Sequence, residues 1–212
     1  MMQLNVHSYL LSEGTNGPGM RFTLWTQGCT KGCKGCFNPE TWGLDYESRN
    51  SRYDPVEFAR YVIENYKVDG ITLTGGDPLE QPEALLSFLQ ELHRDDIALE
   101  KYPKGIICFT GYLMEEIEQM PLVQECLEYI DLLIEGRFIE ELKYSNGLAG
   151  STNQRFIFSN KENRGENKIN RDEILIDQSV EIHVTAASDE FKITGFPNIN
   201  RRDLKKLGIR VL

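Results

Sequence analysis

The 212 residues are 40% hydrophobic and 26% charged, with a net charge of −10, a balance that fits a soluble globular chain with one full core and a small appendage. No apolar run approaches a membrane span, and the acidic balance disfavours free nucleic acid, so neither is expected as a partner. The opening MMQLNVHSYLLSEG lacks a basic region followed by a long apolar one, so no secretion signal is expected and the location reads as cytoplasmic.

In chain order, RFTLWTQ (21–27) is apolar and β-rich and predicts a strand running into TQGCTKGCKGCFNPE (26–40). DPVEFARYVIENYKVDG predicts a helix with Asp54 as cap, Pro55 at the first position, and Val56, Ala59, Val62, Ile63 and Tyr66 on one face. GITLTGGDP gives a strand over 71–74 broken by two glycines. PEALLSFLQELHRD gives a helix with Leu85, Phe88, Leu89 and Leu92 inward. GIICFTGY is a further strand, LMEEIEQMPLVQECLEYI a helix interrupted at Pro121, and DLLIEG another strand.

Strands alternating with helices at this spacing predict βαβ units and a parallel sheet. Ligands of such sheets bind beyond the carboxyl ends of the strands. The cysteines, GGD (75–77) and TGY (110–112) all follow a predicted strand, so they should converge on one rim. After residue 159 the character changes. SNKENRGENKINRDE reads as a linker or exposed loop, ILIDQSVEIHVTAASDEFKITGFPN alternates like short antiparallel strands, and NRRDLKKLGIRVL reads as a capped helix and a last strand. The chain therefore divides into a core over 1–159 and an appendage over 160–212.

Three of five cysteines, Cys29, Cys33 and Cys36, fall within eight positions. A structural zinc site takes four ligands; here there are three, His7, His93 and His183 are remote, and Cys108 and Cys126 sit in apolar surroundings typical of core cysteines. A thioredoxin-like pair leaves Cys29 unexplained. A cubane iron–sulfur cluster takes one thiolate per iron, so three thiolates leave one iron open to a cofactor or substrate. Gly28, Gly32 and Gly35, each preceding a cysteine, let the backbone fold tightly around such a group. Spacing and glycines favour a cluster over zinc or a structural role.

With these residues in place, C-x3-C-x2-C resembles the signature of the radical S-adenosylmethionine (SAM) superfamily, and TGGDP resembles its glycine-rich SAM-binding segment. NGPGMRFTLWTQGCTKGCKGCFNPETW is similar to the N-terminal segment of glycyl-radical enzyme activases. Gly35 before the third cysteine and Phe37 after it resemble the anaerobic ribonucleotide reductase activating proteins within that group. TGGDPL, FTGY (109–112) and DLLIEGRF…GLAGSTNQR (131–155) resemble later motifs of the same subgroup. Glu135 stands where aspartate is more usual, and Ala149 where arginine is common. The resemblance spans about residues 10–158 and leaves the last fifty or so uncovered.

The resemblance implies an α/β fold, a partial open (β/α) barrel of the radical SAM type with a small C-terminal α+β appendage. It implies a 4Fe-4S cluster on Cys29, Cys33 and Cys36, and SAM held by Gly75, Gly76, Asp77, Thr110, Gly111, Tyr112 and Asn38. Trp42 is a candidate cover of the cluster, or a core aromatic. Gly17, Gly19, Arg21, Asn153 and Arg155 are candidate contacts to substrate or partner. No catalytic side chain beyond the cluster and SAM is implied. The activity implied is reductive cleavage of SAM to a 5′-deoxyadenosyl radical that makes a glycyl radical on a partner enzyme, with flavodoxin or ferredoxin as reductant. Two other readings remain open: a radical SAM enzyme modifying a small molecule or peptide, and a non-catalytic metal-binding interaction module, which the intact GGDP disfavours. The appendage is expected to recognise the target, with coverage of the sheet edge as the competing role.

Overall fold

The computed structural model describes residues 2–44, 51–94, 101–144, 147–159, 169, 174, 181–184 and 191–194. A long hairpin opens the chain: β1 (Leu4–Gly14) pairs antiparallel with β2 (Gly17–Thr26). The expected strand at 21–27 is thus the second half of β2, and β1 is a strand not expected from the opening residues. β3 (Ser51–Tyr53) adds antiparallel to the outer side of β1.

From β2 onward the expected alternation holds. Helix α1 (Pro55–Asn65) begins where Asp54 accepts the amides of Val56 and Glu57, both at 3.0 Å, with Pro55 in the first turn. Its inner face is Phe58, Ala59 and Val62. Of the expected face, Ala59, Val62, Ile63 and Tyr66 pack on the core and Val56 does not; Phe58, which was not expected, joins it in an aromatic cluster with Tyr9, Phe22 and Tyr53. β4 (Gly70–Gly75), α2 (Pro82–Leu92) and β5 (Ile106–Phe109) follow. Leu85, Phe88, Leu89 and Leu92 are fully buried, as their spacing predicts. The interrupted helix is two pieces, α3 (Met114–Ile117) and α4 (Pro121–Leu127), divided at the expected proline. β6 (Leu132–Glu135) and β7 (Arg155–Phe158) complete a seven-stranded sheet in the order β3-β1-β2-β4-β5-β6-β7.

The four central strands are parallel and the flanking ones antiparallel, so the fold is mixed α/β. One sheet face packs on α1, α2 and α4 in the main core. The other buries Ile107, Leu132, Ile134 and Leu148 together with Ile169 and Ile174. Within the stretch over 159–173 expected as a linker or exposed loop, Ile169 is an inward apolar anchor. β8 (Glu181–Val184) and β9 (Phe191–Thr194) form a separate antiparallel pair, as their alternation predicts. The expected C-terminal helix and last strand lie outside the described residues. Among the described residues, no helix is long and apolar enough to cross a membrane.

Because β2, β4, β5 and β6 run parallel, with Thr26 opposite Gly75, their carboxyl ends share one rim. Every segment that follows them begins there.

Candidate functional site

The rim encloses a cavity of about 690 Å³, within the range of small-molecule sites. Cys29, Cys33, Cys36, Asn38 and Trp42 line it from the segment after β2, Gly75, Gly76 and Asp77 from that after β4, and Thr110 and Gly111 from that after β5. The convergence expected from strand order is thus the observed geometry. Gly136, Phe138, Glu140 and Gln154 add a wall from the β6–β7 side.

The cysteine segment is a tight excursion that returns to its own start. Gly28 N–H donates to Thr41 O at 2.7 Å and Cys29 N–H to Trp42 O at 3.1 Å. Gln27, fully buried, fixes the base: its Nε2 donates to Gly43 O at 2.6 Å, and its Oε1 lies 2.8 Å from His7 Nδ1. Gly28, Gly32 and Gly35 have φ of 112°, 58° and 76°, left-handed conformations that favour glycine. Gly76 is a glycine for a second reason: a Cβ there would stand 2.3 Å from Gly28 O. The two segments dock backbone to backbone, with Asp77 N–H on Gly28 O at 2.8 Å and Gly76 N–H on Thr26 O at 2.8 Å.

Three cysteines face one cavity and feel one another electrostatically. Burial pushes the Cys29 thiol up to about 11, with Asp77, Cys36 and Glu80 adding to the rise. Burial also raises Cys36, helped by Cys33 and Glu40. Coordination removes the thiol proton and spreads the charge, so such a set suits a cationic metal group. Among the described residues, no three histidine, cysteine or carboxylate side chains are grouped closely enough to hold one ion. The donor set and the cavity therefore fit a cluster with room beside it for a small molecule. Cys108 and Cys126 are buried in the core, with Sγ–H on the carbonyls of Phe109 and Pro82.

Asp77 is only 1% exposed and accepts four protein contacts: Leu79 N–H at 3.1 Å, Gly111 N–H at 2.8 Å, and the Thr110 hydroxyl on both oxygens. Burial raises its carboxyl to about 6 against the lowering effect of these bonds and of Lys31. Tyr112, an expected SAM contact, is not part of the cavity lining. Its ring lies beneath the Lys31 ammonium, 3.0 Å from the centroid, and burial with the Glu80 charge pushes its phenol to about 12.

Gly17, Gly19 and Arg21 stand at the opposite end of β2. Arg21 is fully buried and spends all five donors internally, on Thr72 Oγ1 (2.6 Å) and the carbonyls of Pro18, Ile71, Lys104 and Gly105. Arg155 lies beyond the cavity wall, ion-paired with the buried Glu135 and with Glu115 at 2.7 Å. Asn153 donates to Arg137 O at 2.9 Å. Gln154, which carried no role in the sequence, clamps the wall by accepting from Gly150 N–H and donating to Gly136 O, both at 2.8 Å. Lys31 and Glu80 were missed outright, since a lysine between cysteines and a glutamate after a turn carry no signal until the strands bring them together.

The model of the 4Fe-4S single cluster domain family matches residues 15–157. Three similar proteins are each named anaerobic ribonucleoside-triphosphate reductase-activating protein. The Vibrio cholerae protein is 37% identical over 157 residues, covering 71% of this chain and 96% of its own. That of Enterobacteria phage T4 is 34% identical over 153 residues, covering 69% and 88%. That of Escherichia coli K12 is 31% identical over 153 residues, covering 71% and 96%.

Proposed function

The chain belongs to the anaerobic ribonucleoside-triphosphate reductase-activating protein family, and from that premise we propose that it is a radical SAM activase that installs a glycyl radical on an anaerobic ribonucleotide reductase. The observation that carries this reading is the single cavity in which three cysteines meet the Gly75–Asp77 and Thr110–Gly111 strand ends. Cys29, Cys33 and Cys36 would hold a 4Fe-4S cluster. Gly75 and Gly76, which have no side chains to stand off a ligand, would bring their backbone against the SAM amino group, with the Asp77 charge close behind. Asn38, Thr110 and Gly111 would border the rest of the cofactor. When bound, the cluster and SAM would supply radical chemistry: one electron from a reductant such as flavodoxin or ferredoxin would break the SAM sulfur–C5′ bond, methionine would leave, and the 5′-deoxyadenosyl radical would take a hydrogen atom from a glycine Cα, giving 5′-deoxyadenosine and the glycyl radical. The chain's own residues hold and orient these groups and keep water from them, with Phe109, Phe138 and Trp42 as apolar wall.

The sheet is read, more finely, as the partial open (β/α) barrel of the radical SAM type, a reading supported by four parallel strands whose carboxyl ends share the cavity. The test is anaerobic reconstitution with iron and sulfide, electron paramagnetic resonance of the reduced protein, and assay of 5′-deoxyadenosine from SAM. Four irons, a reducible signal and slow SAM cleavage without a target are expected. Stoichiometric zinc with no iron taken up would overturn the reading.

A further inference from the structure

Lys31 lines the cavity, and just outside the lining it meets two side chains, Glu80 and Tyr112, in a group that cluster and SAM binding do not by themselves require. Lys31 lies in the loop between Cys29 and Cys33, where a lysine would ordinarily extend into water, yet its side chain is only 6% exposed. Its stem crosses Gly111, where an added Cβ would stand 2.8 Å from Lys31 Cγ. Its ammonium is 3.0 Å from the Tyr112 ring centroid and 3.6 Å from Glu80 Oε1. The same Glu80 oxygen accepts Thr30 N–H at 3.3 Å and the Thr30 hydroxyl. Glu80 ends the short turn after Asp77, so one carboxylate from the β4 side holds two successive residues of the cysteine loop, and one ring from the β5 side seats the lysine between them.

Burying an ammonium and a carboxylate is unfavourable unless each is well partnered, so this pair persists only if the geometry it fixes is maintained by the surrounding packing. The backbone bonds of Gly28 and Cys29 tie down the start of the loop. Past Cys29, Thr30 and Lys31 provide the inward polar ties, while Lys34 pairs outward with Glu140 and Glu141 at the exposed rim.

We infer that Glu80, Lys31 and Tyr112 form a clasp of positioning residues that fixes the Cys29–Cys33 loop against the ends of β4 and β5, so that the thiols and the Gly75–Gly76 and Thr110–Gly111 backbone keep one separation before any cofactor is present. The inference rests on the proposed function for what the thiols hold; the ordering of the loop does not.

The experiment compares the full-length protein with Lys31→Met, Glu80→Ala and the double variant. In the cluster-free proteins, hydrogen exchange read by mass spectrometry should quicken about tenfold over residues 28–36 in each single variant, with β2 and β4 unchanged. The double variant should be no worse than either single, because both break one device. After reconstitution, iron content should stay at the parental level, while SAM affinity should fall about tenfold and the SAM-induced change in the resonance spectrum should shrink. Parental exchange and parental SAM response in the variants would overturn the clasp, as would loss of protection spread equally through β2 and β4, which would make the pair a general stabiliser. A parent that takes up neither iron nor SAM would overturn the proposed function and leave the exchange result standing.

Discussion

The Asp77 carboxylate receives the Thr110 hydroxyl on both of its oxygens, at 2.9 and 3.0 Å, and so ties the end of β4 to the end of β5. With Leu79 and Gly111 amides on the same group, the carboxylate is committed to protein donors, so in the proposed SAM site it would act through its charge and through the backbone it positions. Thr110→Val keeps the shape and removes the hydroxyl. It should lower unfolding free energy by about 1–3 kcal/mol, read by denaturant unfolding, and raise the Asp77 carboxyl further.

The same carboxyl gives a pH signature with a definite sign. Burial raises it from 3.8 to about 6, so between those values the folded chain binds the proton more readily than the unfolded one. This contribution is fully present below the unfolded value and lost as pH rises through about 6, a change of about 3 kcal/mol for a rise of this size. Asp77→Asn removes the titration. The stability of the parent relative to Asp77→Asn should therefore fall between about pH 4 and about pH 7. A flat difference in unfolding free energy across that window would show that the carboxyl does not titrate there.

With Cys29, Cys33 and Cys36 as the proposed ligands, replacing any one of them by alanine should abolish the cluster, because three ligands leave no redundancy. Cys108→Ala and Cys126→Ala should keep it, at a cost in stability of about 1 kcal/mol, since both are core thiols. Iron and sulfide content against unfolding midpoint separates the two groups. A folded Cys108→Ala without iron would contradict the three-ligand assignment.

Arg21 sits at the far end of the sheet from the cysteines and should behave as a stabilising residue. Burial lowers its guanidinium to about 9, partly offset by Asp131 and Asp69, which still leaves it charged at neutral pH. Arg21→Met would strand the carbonyls of Pro18, Ile71, Lys104 and Gly105. The expected loss is about 3 kcal/mol of unfolding free energy, with SAM affinity per folded molecule unchanged. A variant of normal stability that no longer activates its target would instead make Arg21 a partner contact.

What the sequence disclosed about the site follows from covalent spacing. Cys29, Cys33 and Cys36 are neighbours along the chain, and Gly75 and Thr110 follow runs whose apolar character already marks them as strands, so parallel order alone places them on one rim. Lys31, Glu80 and Tyr112 come from three separate strand ends, and only the sheet register shows that they meet. Arg21 followed the same logic in reverse: the residues around it look like a binding turn, and only the folded chain shows five carbonyl and hydroxyl partners closing on it. β1 is hidden because a register shift between Val6 and Ser8 breaks its alternation, and β7 because FIF is too short to announce itself without β6 beside it.

The tail is where sequence and structure pull apart, and the distinction can be tested. The family match ends at residue 157, and residues beyond it were expected to recognise the target. Yet Ile169 and Ile174, 3% and 4% exposed, pack on Ile107, Leu132, Ile134 and Leu148, so this part of the tail covers the second face of the sheet. Removing two buried isoleucines and uncovering four more apolar side chains should cost about 5 kcal/mol or more, comparable with the whole stability of many domains. A chain ending at Ser159 should therefore aggregate or bind a hydrophobic dye, and fail to hold a cluster. A chain ending at Val180 keeps both isoleucines, and should stay monodisperse, take up iron and cleave SAM without a target. If it then fails to activate the reductase, recognition belongs to residues 181–212. If it activates normally, the tail's contribution is the apolar cover. A soluble, cluster-loaded chain ending at Ser159 would show that the Ile169 and Ile174 contacts are dispensable.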